Sequence, residues 1–237
     1  MKKTILPLLI LSAIFVSCAS TKTADTAYSY DDDDYYEDDL EDIDYSSIID
    51  IPVSTDDYMG DFDPIQLEPV MILKKSGKKL SPKELRNFYL VPRSNSVELT
   101  FRDTANEVCI IFSKAERDKI LDTCQTFLNQ YDEKTLPHHK INSKTAYFNS
   151  KCGLWYGVLN SSTSCSANDY YLNCEFIDKR PYLLFHFTPT RCDKVDAYTP
   201  KVNFYMSPSQ IRDFMEIIKQ ENLEALLTEK RERAYTY

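Results

Sequence analysis

The sequence predicts an internally duplicated α+β body: two antiparallel sheets, each followed by a helix, behind a leader and an acidic tether. Three observations predict it. Residues 96–128 and 182–220 share one plan, two β-rich runs and then a serine that opens a helix. Within each plan the apolar residues alternate at period two before the serine and recur at three and four residues after it. Composition also breaks sharply near residue 64, where a run of carboxylates gives way to a mixed, aromatic-rich chain.

The chain opens MKK and continues through the apolar run TILPLLILSAIFV, a positive n-region and an apolar core too short for a stop-transfer helix. Residues 1–17 are therefore expected to be a signal peptide. Phe15, Val16, Ser17 and Cys18 close that run, and this box resembles the lipobox of bacterial lipoproteins, in its looser spirochaetal form because Phe15 stands where Leu is commonest. The resemblance implies that Cys18 is acylated and becomes the mature N-terminus. The competing reading is ordinary cleavage at the small residues Ser17 and Ala19, which would discard Cys18.

Residues 19–63 hold sixteen Asp or Glu and one Lys. Such a charge density opposes collapse, so residues 18–63 are expected to be a disordered tether carrying the lipidated cysteine. The net charge of −9 divides into +2 for the leader, −15 for the tether and +4 for residues 64–237. The folded body is thus mildly basic.

The first half of that body, about residues 64–135, starts with QLEPVMILKK and NFYLV as strands, with a short helix expected around Ser81, Pro82 and Glu84. Val97, Leu99 and Phe101 alternate with Glu98, Thr100 and Arg102, which predicts a strand with one face in a core and one in water. Residues 108–112 form a second strand. Ser113 and Glu116 then make a capping box before a helix whose apolar stripe is Ile120, Leu121, Cys124, Phe127, Leu128 and Tyr131.

The second half, about residues 140–230, reads TAYFNS, CGLWYGVLN and NDYYLNCEFID as strands around the polar loop NSSTSCSAN. Leu183, Phe185 and Phe187 share a strand face, residues 202–206 form the next strand, and Ser207 with Gln210 repeats the capping box with Pro208 at the first helical position. Ile211, Phe214, Met215 and Ile218 supply the stripe, and the charged run after Leu227 is expected to fray. Several strands and then a helix, twice over, is similar in topology to the PUR-repeat and Whirly families, which bind single-stranded nucleic acid. That likeness supplies no contacting motif here, and no binding residue is transferred.

Chemistry is sparse. Only Gly77, Gly153 and Gly157 fall in residues 64–237, which excludes P-loops, dinucleotide fingerprints and the GxSxG elbow. The six cysteines beyond Cys18 include no CxxC, and His138 with His139 has no neighbouring ligand set, so neither a metal nor a cofactor is expected. Cys152 and Cys174 flank the polar loop and are the expected disulfide pair, against the alternative that the cysteines are buried small hydrophobes. Two features could serve binding: the basic turn with Lys74, Lys75, Lys78 and Lys79, and an aromatic platform around Trp155 and Tyr156. The expectation is an exported, lipid-anchored, non-enzymatic binding or structural module of the cell envelope. Its partners would be the membrane and an envelope protein or polysaccharide, with a homodimer left open. A hydrolase with an unrecognised site and a single-strand nucleic-acid binder are the alternatives.

Overall fold

The computed structural model describes residues 57–158, 161–192 and 197–235. The chain divides into Met1–Glu41 and Asp42–Tyr237, and every described residue belongs to the second unit. The expected leader, Cys18 and residues 19–56 of the expected tether lie outside the described residues.

Among the described residues ten strands and three helices follow in order: β1 (Ile65–Gln66), β2 (Met71–Ser76), β3 (Lys79–Glu84), β4 (Asn87–Val91), β5 (Ser96–Asp103), β6 (Asn106–Phe112), α1 (Lys114–Asp132), β7 (Phe148–Val158), β8 (Ser161–Ile177), β9 (Arg180–Phe187), β10 (Val202–Met206), α2 (Pro208–Ile218) and α3 (Gln220–Tyr235). All ten strands form one antiparallel sheet in the order β1-β4-β5-β6-β7-β8-β9-β10-β2-β3. The expected two-sheet layout is corrected here. The halves join edge to edge, β6 pairing with β7 through Val108↔Tyr156 and Ile110↔Leu154, which satisfies backbone groups that two separate sheets would leave at open edges.

The sheet curls until its margins approach. β3 is one margin and β4 lies next to the other, yet only Leu85 and Arg86 separate them in sequence, a span of at most ~11 Å. Across the same gap Lys74 on β2 forms an ion pair with Asp103 on β5 at 3.2 Å. Inside the curl lies the core, where Phe88 stacks on Phe214, Phe185 on Phe204, and Phe101 meets Phe204 edge-on at 6.0 Å. α1 and α2 close it with Ile120, Cys124, Phe127, Ile211, Phe214 and Ile218.

Both helices begin at their expected serines. Ser207 caps α2 with a complete box, its Oγ accepting from Gln210 N while the Gln210 side chain accepts from Ser207 N. Ser113 accepts from Glu116 N, but the Glu116 carboxylate turns inward to accept from Tyr170 OH at 2.7 Å and from Lys119 at 2.9 Å. Half of the first box is therefore spent on tying α1 to β8.

Six local expectations change. Ser81, Pro82 and Glu84 lie in strand β3, paired to β2 through Leu73↔Pro82 and Lys75↔Leu80; proline is tolerated there because the strand is a margin. Most of the polar loop is strand, since Ser161 onward pairs with β7, and Ser166 with Ala167 bulges opposite Gly153. Glu98 and Thr100 are buried, so β5 is covered on both faces. The charged C-terminal run stays helical to Tyr235, and Met59 and Phe62, placed in the tether by composition, pack on the body, with Arg231 5.1 Å above the Phe62 ring.

The Cys152–Cys174 bridge is the sixth correction. Cys152 sits opposite Asn168 and Cys174 opposite Leu183, six residues further along β8, or ~20 Å. A disulfide needs Cα atoms within ~7 Å. Both thiols are reduced and buried; burial pushes Cys174 up to about 12 and Cys152 well above its ordinary value.

Candidate anion-binding groove

β8, β9, β10 and β2 are successive neighbours, and their registers stack one row of residues on the face away from the core. Tyr171 stands opposite His186, and His186 opposite Asn203; one step on, Leu184 stands opposite Tyr205, and Tyr205 opposite Leu73. Leu73, Leu80, Ile141, Ile177, Tyr182, Leu184 and Tyr205 make a small apolar cluster on this face. Beside it lies an open cavity of about 310 Å³ lined by Lys74, Lys75, Gly77, Lys201, Asn203 and Tyr205.

A tight turn brings the lysines there. Gly77 and Lys78 connect β2 to β3, and Gly77 has φ +60°, which favours glycine at the first central position of a two-residue hairpin turn. Lys74 is held by the Asn203 carbonyl at 2.8 Å as well as by Asp103. Lys75 forms an ion pair with Glu175, whose other oxygen accepts from Tyr205 OH at 2.9 Å. Lys201 has no carboxylate partner among the described residues. Three lysines thus line one opening, with Lys74 paired to Asp103 and Lys75 to Glu175, leaving the Lys201 charge for an incoming anion.

His186 lies beside this opening, its ring stacked on Tyr171 at 4.4 Å. Burial first, then the Lys201 charge, lowers it to about 4, against a hydrogen-bonding contribution from Asn203. The ring is neutral near pH 7. Burial together with Glu175 raises the Tyr171 and Tyr205 hydroxyls, so both are proton donors at neutral pH.

Of the residues singled out from sequence, Lys74 and Lys75 line the groove, and Lys78 and Lys79 stand exposed at its turn. Trp155 and Tyr156 are elsewhere. Trp155 is only 7% exposed, opposite Cys109 and Ser164, and Tyr156 accepts from Asn106 at 3.0 Å, so they form no open platform. Sequence reasoning missed Lys201, Asn203 and Tyr205, and it read His186 as a packed strand residue and Glu175 as a solvated strand-end carboxylate. The signal was the alternation K-V-N-F-Y-M, whose polar members share the outer face of β10.

Among the described residues no group of three or more His, Cys, Asp and Glu side chains could hold a metal ion, and no helix is long and apolar enough to cross a membrane. No solved structure matches the chain. A curated relative from Treponema pallidum (strain Nichols), named only as an uncharacterized protein, is 25% identical over 160 residues, 67% of this chain. That match spans 57% of the relative's own length. The family model described as "Uncharacterised Treponema protein" matches residues 64–225, a stretch that contains every groove residue. By that match the chain belongs to this Treponema family.

Proposed function

We propose that the protein is an exported binding module, held to a membrane through acylated Cys18, whose folded body captures an acidic polysaccharide of the cell envelope in the lysine-lined groove. One observation carries the binding half of the reading: Lys74, Lys75 and Lys201 line one open cavity, and Lys201 has no carboxylate partner among the described residues. Charge-assisted hydrogen bonds to an anion are about twice as strong as neutral ones. The anchoring half rests on the lipobox, and a tether of −15 charge would keep the body clear of an anionic lipid surface.

The test uses the full chain and heparin as an acidic polysaccharide probe. Affinity is expected to fall as salt rises, and Lys75→Gln with Lys201→Gln to weaken binding about tenfold or more, since two hydrogen bonds from charged donors are lost. Binding insensitive to both salt and the double substitution would remove the groove from the reading. A preference for single-stranded DNA over heparin at equal salt would favour the nucleic-acid alternative instead.

A further inference from the structure

The β8–β9 ladder runs from Ile177↔Arg180 to Tyr170↔Phe187. Carried on in the same register, it sets Asp169 opposite Thr188, where Thr188 N donates to Asp169 O at 2.9 Å. Cys165 follows four residues further along β8, past the Ser166–Ala167 bulge, and Cys192 four residues further along the facing stretch. The two stretches stay close along that course. Asp169 N donates to Thr190 Oγ1 at 3.0 Å, and Asn168 Nδ2 reaches the Thr188 carbonyl at 3.4 Å. Cys165 Sγ lies 3.9 Å from Arg191 O, the carbonyl of the peptide that leads into Cys192. Standard peptide dimensions then put that sulfur within ~7 Å of the Cys192 Cα.

Cys192 is held at this position. Its N–H donates to Ala197 O at 2.9 Å, Arg191 bridges to Tyr198, and Thr199 N donates to Thr190 O at 2.9 Å. Cys165 and Cys192 are each 3% exposed. The 3.9 Å approach of Cys165 Sγ to the peptide that enters Cys192 brings the two side chains into the neighbourhood a disulfide requires, Cα atoms within ~7 Å. Cys152 is the competing thiol, but the Ser166–Ala167 bulge sets Leu154 rather than Cys152 opposite Cys165.

We propose that Cys165 and Cys192, both reduced in this structure, are joined by a disulfide when the chain folds outside the cytoplasm. The inference rests on the export reading given above. The oxidant is a disulfide-bearing compound or protein. One cysteine thiolate attacks the oxidant's S–S bond, forming a mixed disulfide and releasing one thiol. The second thiolate then attacks the mixed disulfide, forming the Cys165–Cys192 bond and releasing the second thiol. Two cysteine S–H bonds are lost, two are gained by the oxidant, and one S–S bond replaces another. Burial of both sulfurs means that the exchange takes place during folding.

The test has two arms. In the first, the full chain with Cys18→Ser is unfolded, reduced, refolded with oxidised glutathione, and mapped by mass spectrometry of unreduced peptides. The expected product is one linked pair, Cys165 with Cys192, two hydrogens lighter than the reduced peptides. It should be lost in Cys165→Ser and in Cys192→Ser and kept in Cys152→Ser. A link to Cys152, or none, overturns the geometry. In the second arm the native chain is trapped in its cells with acid and an alkylating reagent before the same mapping. Finding the link there supports the proposal whole, whereas a pair that forms in vitro and is absent from cells overturns it through its export premise.

Discussion

At the scale of single residues, His186 shows what the sequence could and could not convey. Its aromatic strand made packing legible, and the stacking on Tyr171 is of that kind. Its place beside Lys201 was hidden, because the two meet only through the β9–β10 register. The histidine value falls from 6.5 to about 4 on folding, so between those values the unfolded chain binds the proton more readily. The stability owed to the neutral ring is present above pH 6.5 and is lost as pH falls toward 4. Urea midpoints of the wild type and His186→Gln across that window check this. The wild type should lose more stability than the variant on acidification, and parallel pH profiles would contradict it. The four lysines of the basic turn were visible as a run, but which of them share an opening depended on the strand that faces them.

At the scale of elements, the amphipathic helices α1 and α2 were legible because apolar spacing and capping serines agree. β3 and α3 were not. KLSPKE lacks a strand's apolar alternation because it is a margin. In α3 the buried face reduces to Leu223 and Leu227, extended one turn by Arg231, a four-residue spacing concealed among charges. Arg117 binds these parts together. Only 1% exposed, it donates from α1 to the Asn95 carbonyl, to Asn95 Oδ1 at 2.8 Å and to Gln220 Oε1 at 2.6 Å at the start of α3. Burial lowers this guanidinium to about 10, still charged at neutral pH. Arg117→Met should cost about 2–4 kcal/mol, because two buried acceptors on Asn95 and a part-buried one on Gln220 lose their donor. Arg117→Lys should recover little, since an ammonium lacks the planar fork. Denaturant midpoints measure both, and an unchanged midpoint for Arg117→Met would refute this role.

For the whole molecule, two β-rich runs followed by a serine and a helix were legible in each half, and the elements follow in that order as β5-β6-α1 and β9-β10-α2, but not as two duplicated sheets. How the copies join was not, because periodicity gives the faces of a strand but not its neighbour, and β6 pairs with β7 where two sheets were expected. The groove follows from that single sheet: β2, from the start of the body, closes on β10 near its end, bringing Lys75 to Lys201. In the proposed function the binding face is set by the fold and the place of work by the expected leader. That the body works moored to a membrane is the claim on which the proposed function rests. The direct test is the mass of the N-terminal peptide of the chain recovered from cell membranes. The account predicts that it begins at Cys18 and carries added acyl chains. A mature chain beginning after residue 18, or beginning there without added hydrocarbon, would contradict it.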